Sequence, residues 1–236
     1  MYRQINNILM LGAGGHAKQI VDVFKMNDAN IYIEVYDDNM QGSFRGYRIQ
    51  GNTEDFINRI VTMYHSSDLI HKGLFIAIGN NKVRKRILNQ INWKISLTSE
   101  DSINEETYNK DYIRKYVVNC ISPYAHIAPS VNIGYGNYIG SHTCILQDSN
   151  IGDGNIVNDN STVMHDCKVG DYNLIAPGAT LCGGVVIGDY NLIGANASMI
   201  PKMKLGDENV VGAGAAVVKS YESGNTLLGV PARPRI

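Results

Sequence analysis

The chain has 236 residues and a formal net charge of −1, with 44% hydrophobic and 18% charged residues. That balance gives no electrostatic case for binding nucleic acid or an anionic membrane, and no apolar run approaches the roughly 20 residues a spanning helix needs. The opening residues lead straight into a short apolar stretch rather than a cleavable leader, which predicts a cytoplasmic location. Cys120, Cys144, Cys167 and Cys182 form no CxxC pair and no zinc-spaced cluster with histidine. They are read as small buried side chains in a reducing compartment, with no metal.

The first part of the chain alternates strands and helices. Asn7–Leu11 is an apolar strand, followed by Gly12-Ala-Gly14-Gly15-His16-Ala17 and an amphipathic helix carrying Ile20, Val21, Val23 and Phe24. Ile31–Tyr36 is a second strand ending at Asp37-Asp38, and Thr53–Tyr64 reads as a helix capped by Thr53. Leu74–Ile78 is a third strand, followed by Gly79-Asn80-Asn81 and a basic helix to Ile91. The pattern predicts a small parallel α/β domain over residues 1–95. Residues 96–116, rich in Ser, Glu, Asn, Lys and Tyr, break it and are read as a linker or insertion.

The strand–turn–helix context supports Gly12-x-Gly14-x-x-Ala17 as a phosphate-binding turn, although glycines that merely serve close strand–helix packing fit the same residues. Glycine lets the backbone approach a pyrophosphate, and the helix N-terminus offers unpaired N–H groups. Asp37 and Asp38, at the end of the next strand, stand where a ribose or base would be held. So short a domain has room for one nucleotide half, which favours a nucleoside-diphosphate conjugate over a dinucleotide. His16, in the loop, is a candidate ligand contact. Gly79 and Asn80 mark the same edge of the sheet, and Arg84 is either a further contact or part of a solvated helix face.

From Ile121 the chain changes character. Stepping by six gives Ile121, Ile127, Ile133, Ile139, Ile145, Ile151, Val157, Val163, Val169, Ile175, Leu181, Ile187, Ile193, Met199, Leu205, Val211 and Val217, all aliphatic or Met. At a background near one half, chance gives this about once in 10⁵ tries. A longer period of eighteen stacks Gly134, Gly152, Gly170, Gly188 and Gly206, and likewise Asn137, Asn155, Asn173, Asn191 and Asn209. Three hexapeptides therefore make one turn of a coil over residues 117–236, with one aliphatic residue of each pointing inward and the asparagines bonded along the stack.

Within this register His165 falls at a corner beside Asp166. Gly183 lies eighteen residues on, one strand spacing of about 4.8 Å away. A base and a backbone N–H donor can so be brought around one carbonyl, although an ordinary surface histidine beside an aspartate fits the same residues. His65, His71, His126 and His142 are read as bland. Asp148 stacks against Asp166.

The hexapeptide period resembles the hexapeptide-repeat acyltransferases, whose fold is a left-handed parallel β-helix. Together with the Gly-Ala-Gly-Gly-His loop, Asp37-Asp38, Gly79-Asn80-Asn81, His165-Asp166 and Gly229-Val-Pro-Ala232, the chain resembles the nucleotide-amino-sugar N-acetyltransferases and related sialic acid O-acetyltransferases of the PglD/NeuD type. The resemblance implies an acetyl-CoA-dependent N-acetyltransferase acting on a nucleotide-linked amino sugar, with a UDP- or dTDP-linked 4-amino-4,6-dideoxy sugar as the expected substrate. It implies a homotrimer with intersubunit sites, His165 as general base, Asp166 orienting it, Asn158 in the same site, and Gly183 as oxyanion donor. His16 would reach the sugar nucleotide, and Ala195 and Ala213, with Gly183, the coenzyme. Many members carry a second histidine where this chain has Leu174. Sugar O-acetylation, a non-catalytic trimeric scaffold and an acyl-cysteine route through Cys167 or Cys182 stay open at this point.

Overall fold

The computed structural model describes residues 5–98 and 111–235. The chain divides into two compact units, Met1–Val118 and Asn119–Ile236.

The first unit is a three-stranded parallel sheet flanked by helices. Strand β1 (Asn7–Leu11) lies between β2 (Tyr32–Tyr36) and β5 (Lys72–Ile76). A hairpin absent from the sequence reading, β3 (Ser43–Phe44) with β4 (Tyr47–Arg48), follows β2. Helix α1 (Gly15–Asn27) covers one side of the sheet, where Phe24 meets Phe75 edge-on at 5.7 Å. On the other side α2 (Thr53–His65) and α3 (Asn81–Thr98) bury Phe56, Ile60, Ile87, Ile91 and Ile95 with Leu9, Leu11 and Leu74. The α2 cap is Asn52, not Thr53. Its side-chain oxygen accepts the N–H groups of Glu54 and Asp55 in a reciprocal capping box with Asp55.

The stretch expected to be a linker is largely occupied by structure wherever it is described. Helix α3 continues seven residues past Ile91, because Ile95 extends its apolar stripe. Tyr112, Ile113, Tyr116 and Val117 belong to the core of the first unit. Residues 99–110 lie outside the described residues.

The second unit is a coil of short strands in three sheets, paired in parallel every eighteen residues (Ile145 with Val163, Val163 with Leu181, Leu181 with Met199 and Met199 with Val217) and closed by an antiparallel pair, Thr226–Leu228 with Arg233–Pro234. Of the seventeen six-spaced residues, all from Ile139 to Val217 are buried, whereas Ile121, Ile127 and Ile133 in the opening coil are half-buried. The spacing shortens at the end, where Val211 pairs with Leu227 and Tyr221 bridges Leu205.

Two polar columns lock the coils. Each column asparagine accepts the backbone N–H of the next, from Asn119 through Asn137, Asn155, Asn173, Asn191 and Asn209 to Asn225, at 2.8–2.9 Å. An opposed column runs the other way. Asp153, Asp171, Asp189 and Asp207 each accept a backbone N–H from the preceding coil, at 2.7–2.9 Å. The glycine before each Asp leaves room for this reach. A Cβ on Gly152 would collide with the Asp171 carboxylate and lie 2.6 Å from the Gly170 carbonyl oxygen. The repeated aliphatic-Gly-Asp-x-Asn thus encodes an inward residue, a close approach, a backward bond and a forward bond.

Candidate functional site

The glycine turn forms a cleft of about 260 Å³ at the C-terminal edge of the sheet. Gly12 is demanded by the protein itself. Its φ is +115°, and a Cβ there would lie 2.7 Å from the Ala77 carbonyl oxygen. Gly14, Gly15 and Gly79 are different, since nothing lies within 4 Å of where their Cβ atoms would stand, and all three line the cleft. Packing does not require these glycines; the open space over them is what a bound group would fill. Gly14 is the N-cap of α1 and offers no side-chain cap, and the first turn carries no acid. Its outward N–H groups and the helix dipole therefore favour an anion.

His16 lies in the first turn of α1 rather than in the loop, because the helix begins at Gly15, and its Nδ1 is 3.4 Å from Gln19 Oε1. Asp37 and Asp38 line the cleft, and both carboxylates also bind the protein. Asp37 accepts the N–H of Ala13 at 2.7 Å and those of Asn39 and Met40 at 2.8 Å, fixing the glycine turn to the end of β2. Asp38 accepts the N–H and O–H of Thr53 at 2.7 and 2.8 Å. Asn80 caps α3 through Val83 N–H at 3.1 Å. Arg84 is neither solvated nor a lining residue. It is 3% exposed and donates to the carbonyls of Ile78 and Gly79 at 2.7 and 3.0 Å, setting the turn that carries Gly79.

The coil gathers its predicted residues at two corners. At one, His165 Nδ1 lies 2.7 Å from Asp166 Oδ2, and both side chains are more than half exposed. Asp166 has φ +61° at the corner, a conformation that Asp and Asn tolerate better than most residues. The imidazole lies over Gly183: a Cβ there would be 2.7 Å from both Cε1 and Nε2. The sequence placed these two residues one coil apart, and the structure puts them in contact. The Gly183 N–H and His165 Nε2 have no hydrogen-bond partner among the described residues. With Nδ1 on the carboxylate, Nε2 is the ring nitrogen left over, and it lies on the side of the ring that faces Gly183.

Asn158, Ala195 and Ala213 stand at the neighbouring corner, one strand before. Asn158 precedes Thr162–Val163 and His165 follows it, so a full face of the coil separates them. The Asn158 carbonyl accepts the hydroxyls of Thr143 and Ser161 at 3.0 and 2.6 Å, whereas its amide oxygen is buried with no partner. Such an orphan costs about 1–3 kcal/mol and calls for an explanation.

The remaining candidates lead elsewhere. His142 stacks on Tyr124 at 6.1 Å between ring centres, and His65 bonds Thr98 at 2.8 Å. Burial pushes the Cys120 and Cys167 thiols up, away from the thiolate a nucleophile needs. Asp148 repeats the Asp166 corner one coil earlier, with φ +61°. Leu174 lies half-buried on an outward position between Ile156 and Leu192. Among the described residues no group of three or more His, Cys, Asp or Glu is placed to hold a metal ion, and no helix is long and apolar enough to cross a membrane.

Comparison with known proteins agrees with this division. Residues 7–91 match the PglD N-terminal domain, and residues 148–183 match the bacterial transferase hexapeptide, six repeats. The acetyltransferase domain of PglB from Neisseria gonorrhoeae FA1090, solved in complex with acetyl coenzyme A, is 28% identical with a TM-score of 0.76, covering 98% of this chain and 100% of that one. PerB from Caulobacter crescentus, in complex with CoA and GDP-perosamine, is 27% identical with a TM-score of 0.77 over 98% of each chain. WeeI from Acinetobacter baumannii AYE is 27% identical with a TM-score of 0.77, covering 97% of this chain and 99% of that one. The uncharacterized protein L142 of Acanthamoeba polyphaga mimivirus is 37% identical over 142 residues, 60% of this chain, and the match spans 22% of that relative's length. The coil is a left-handed parallel β-helix, as in the matched acetyltransferases. The first unit is thus similar to the PglD N-terminal domain and the coil to the bacterial transferase hexapeptide, and the chain as a whole is similar to the acetyltransferases of known structure that it matches.

Proposed function

We propose that the protein transfers the acetyl group of acetyl-CoA to the amine of a nucleotide-linked amino sugar. The observation that carries this reading is the His165 imidazole lying over Gly183, with Nδ1 bound to Asp166 and Nε2 on the side that faces Gly183. The related PglB domain and PerB, which bind acetyl coenzyme A and CoA with GDP-perosamine respectively, support it.

In this mechanism the sugar amine attacks the thioester carbonyl carbon. A C–N bond forms and the C–S bond breaks. His165 Nε2 takes the proton the nitrogen loses, and the sulfur leaves as the CoA thiolate, which is then protonated. The Asp166 carboxylate holds the tautomer and stabilises the imidazolium. The Gly183 N–H stabilises the oxyanion that develops on the carbonyl oxygen. The glycine cleft holds the diphosphate of the acceptor, over Gly14, Gly15 and Gly79, with His16 toward the sugar.

The separation of the two coil corners favours a shared site. Asn158, Ala195 and Ala213 meet His165 and Gly183 when the corner of one copy lies against its neighbour's, which a closed homotrimer achieves three times. The coenzyme would then run between coils, and a ligand donor would satisfy the buried Asn158 oxygen. The test is acetyl transfer measured against a panel of amino-sugar nucleotides. Turnover on an amino-sugar nucleotide, with none on the corresponding free sugar acid, supports the reading, and the reverse contradicts it.

A further inference from the structure

The corner that carries His165 and Asp166 closes differently from two of its counterparts in the coil. One coil on, the turn is closed by its own backbone, with Val185 N–H donating to the Cys182 carbonyl at 3.2 Å. Two coils before, Val131 N–H donates likewise to the Ala128 carbonyl at 3.1 Å. At the His165 corner the corresponding Cys167 N–H donates instead to the Ser149 hydroxyl, at 3.1 Å. The same hydroxyl donates to the Met164 carbonyl at 2.7 Å. A side chain from the preceding coil is thus inserted between the ends of the turn 164–167, so that two hydrogen bonds stand where its counterparts have one. The middle of the turn is held by the backbone. Asp166 N–H donates to the Gln147 carbonyl at 3.0 Å, and Gly184 N–H to the His165 carbonyl at 2.9 Å.

The serine is anomalous for its place. Its eighteen-residue column reads Val131, Ser149, Cys167, Val185 and Met203, and the other four lie in or against the apolar core of the coil. Ser149 is fully buried. A buried hydroxyl is tolerated only when bonded, and a valine, as at 131 and 185, would bury more apolar surface. Both bonds of this hydroxyl go to the one turn whose middle residues are His165 and Asp166.

We infer that Ser149 is a positioning residue for the base. Its hydroxyl sets the opening of the turn 164–167, and with it the seat of the His165 imidazole over Gly183. Being fully buried, Ser149 reaches the reaction through His165 and not by touching substrate. The inference rests on the reading of His165 as the base in acetyl transfer, and adds the residue that fixes where the base stands.

Ser149→Val and Ser149→Thr have the same shape and differ by the hydroxyl. Valine suits the column and frees the turn to close on itself as at Val185. Ser149→Val should therefore keep Tm and the acetyl-CoA KM while kcat falls about 10- to 100-fold, the scale of a misplaced catalytic group. Ser149→Thr should keep kcat within a few-fold. Turnover is read on the amino-sugar nucleotide of the panel that the wild type uses. Independently of substrate, the imidazole resonances of ¹⁵N-histidine-labelled protein that vanish in His165→Ala should move in Ser149→Val and stay in place in Ser149→Thr. Should the larger side chains prevent folding, Ser149→Ala, which adds no bulk, carries the same prediction for kcat and for the resonances. Wild-type kcat and unmoved His165 resonances in folded Ser149→Val or Ser149→Ala would overturn the inference, as would equal loss in Ser149→Thr and Ser149→Val at unchanged Tm. If His165→Ala itself turns over normally, the base reading fails and this inference with it.

Discussion

The His165 ring occupies the space that any side chain at position 183 would need, because a Cβ on Gly183 would stand 2.7 Å from its Cε1 and Nε2. Gly183 does not have a left-handed backbone, so the glycine serves the ring rather than the turn. Gly183→Ala should therefore push the imidazole out of its place over residue 183 and lower kcat about 10²–10³-fold with little change in Tm. Gly184, at φ +70°, is the control. Gly184→Ala should cost about 1–2 kcal/mol of stability. Kinetics and thermal melts of the two variants separate the effects, and equal loss of Tm in both would contradict the assignment.

Asp166→Asn keeps a residue that tolerates the corner conformation while removing the carboxylate from Nδ1. The expected result is a fall in kcat of about 10–10²-fold at an unchanged Tm and acetyl-CoA KM. Asp166→Ala should add a loss of stability at the positive φ. A normal kcat for Asp166→Asn would show that the 2.7 Å contact has no part in the reaction.

The unpartnered Asn158 oxygen predicts an unusual split. Asn158→Ala removes a buried orphan, so Tm should hold or rise, while turnover falls. If the site is shared between copies, a 1:1 co-refolded mixture of Asn158→Ala and His165→Ala should recover activity. Random mixing gives intact sites at about one quarter of interfaces. No recovery in a mixture that demonstrably exchanges subunits would put both residues in one copy's site.

Much of the coil was legible because a period repeated without interruption leaves only one register. The inward residues, the asparagine column and the His165–Gly183 pairing all follow from steps of six and eighteen. The opposed Asp153, Asp171, Asp189 and Asp207 column was visible as a motif but not as a set of bonds, since a surface aspartate and a backward-reaching one look alike in sequence. In the first unit the strand–glycine–helix order located the cleft. Position alone could not show that Asp37 and Asp38 also bind Ala13 and Thr53, nor that Arg84 folds inward onto the Ile78 carbonyl. Those assignments depend on tertiary closure, which leaves no local pattern. The same applies to the second corner, because Asn158 lies seven residues before His165 and so falls outside both periods.

The asparagine column carries stability rather than chemistry. Asn173 is fully buried, accepts the Asn191 N–H at 2.8 Å and donates to Asn155 Oδ1 at 3.1 Å. Asn173→Ala strands the Asn191 N–H and should cost about 1–3 kcal/mol. Denaturant titration should show the lower midpoint, with kcat of the folded enzyme retained.

Burial pushes the Cys167 thiol above its ordinary pKa, away from the thiolate form that a nucleophile needs. Intact-mass measurement of the enzyme mixed with acetyl-CoA alone should show no acetyl adduct, and Cys167→Ala should keep kcat. A stable adduct at Cys167 or Cys182 would favour a two-step route.

The most direct measurement is acetyl transfer by wild type and His165→Ala on an amino-sugar nucleotide that the wild type turns over, at saturating acetyl-CoA. Loss of about 10²–10⁴ in kcat, with nucleotide affinity unchanged, is the expected result. Near-normal turnover by His165→Ala would contradict the account.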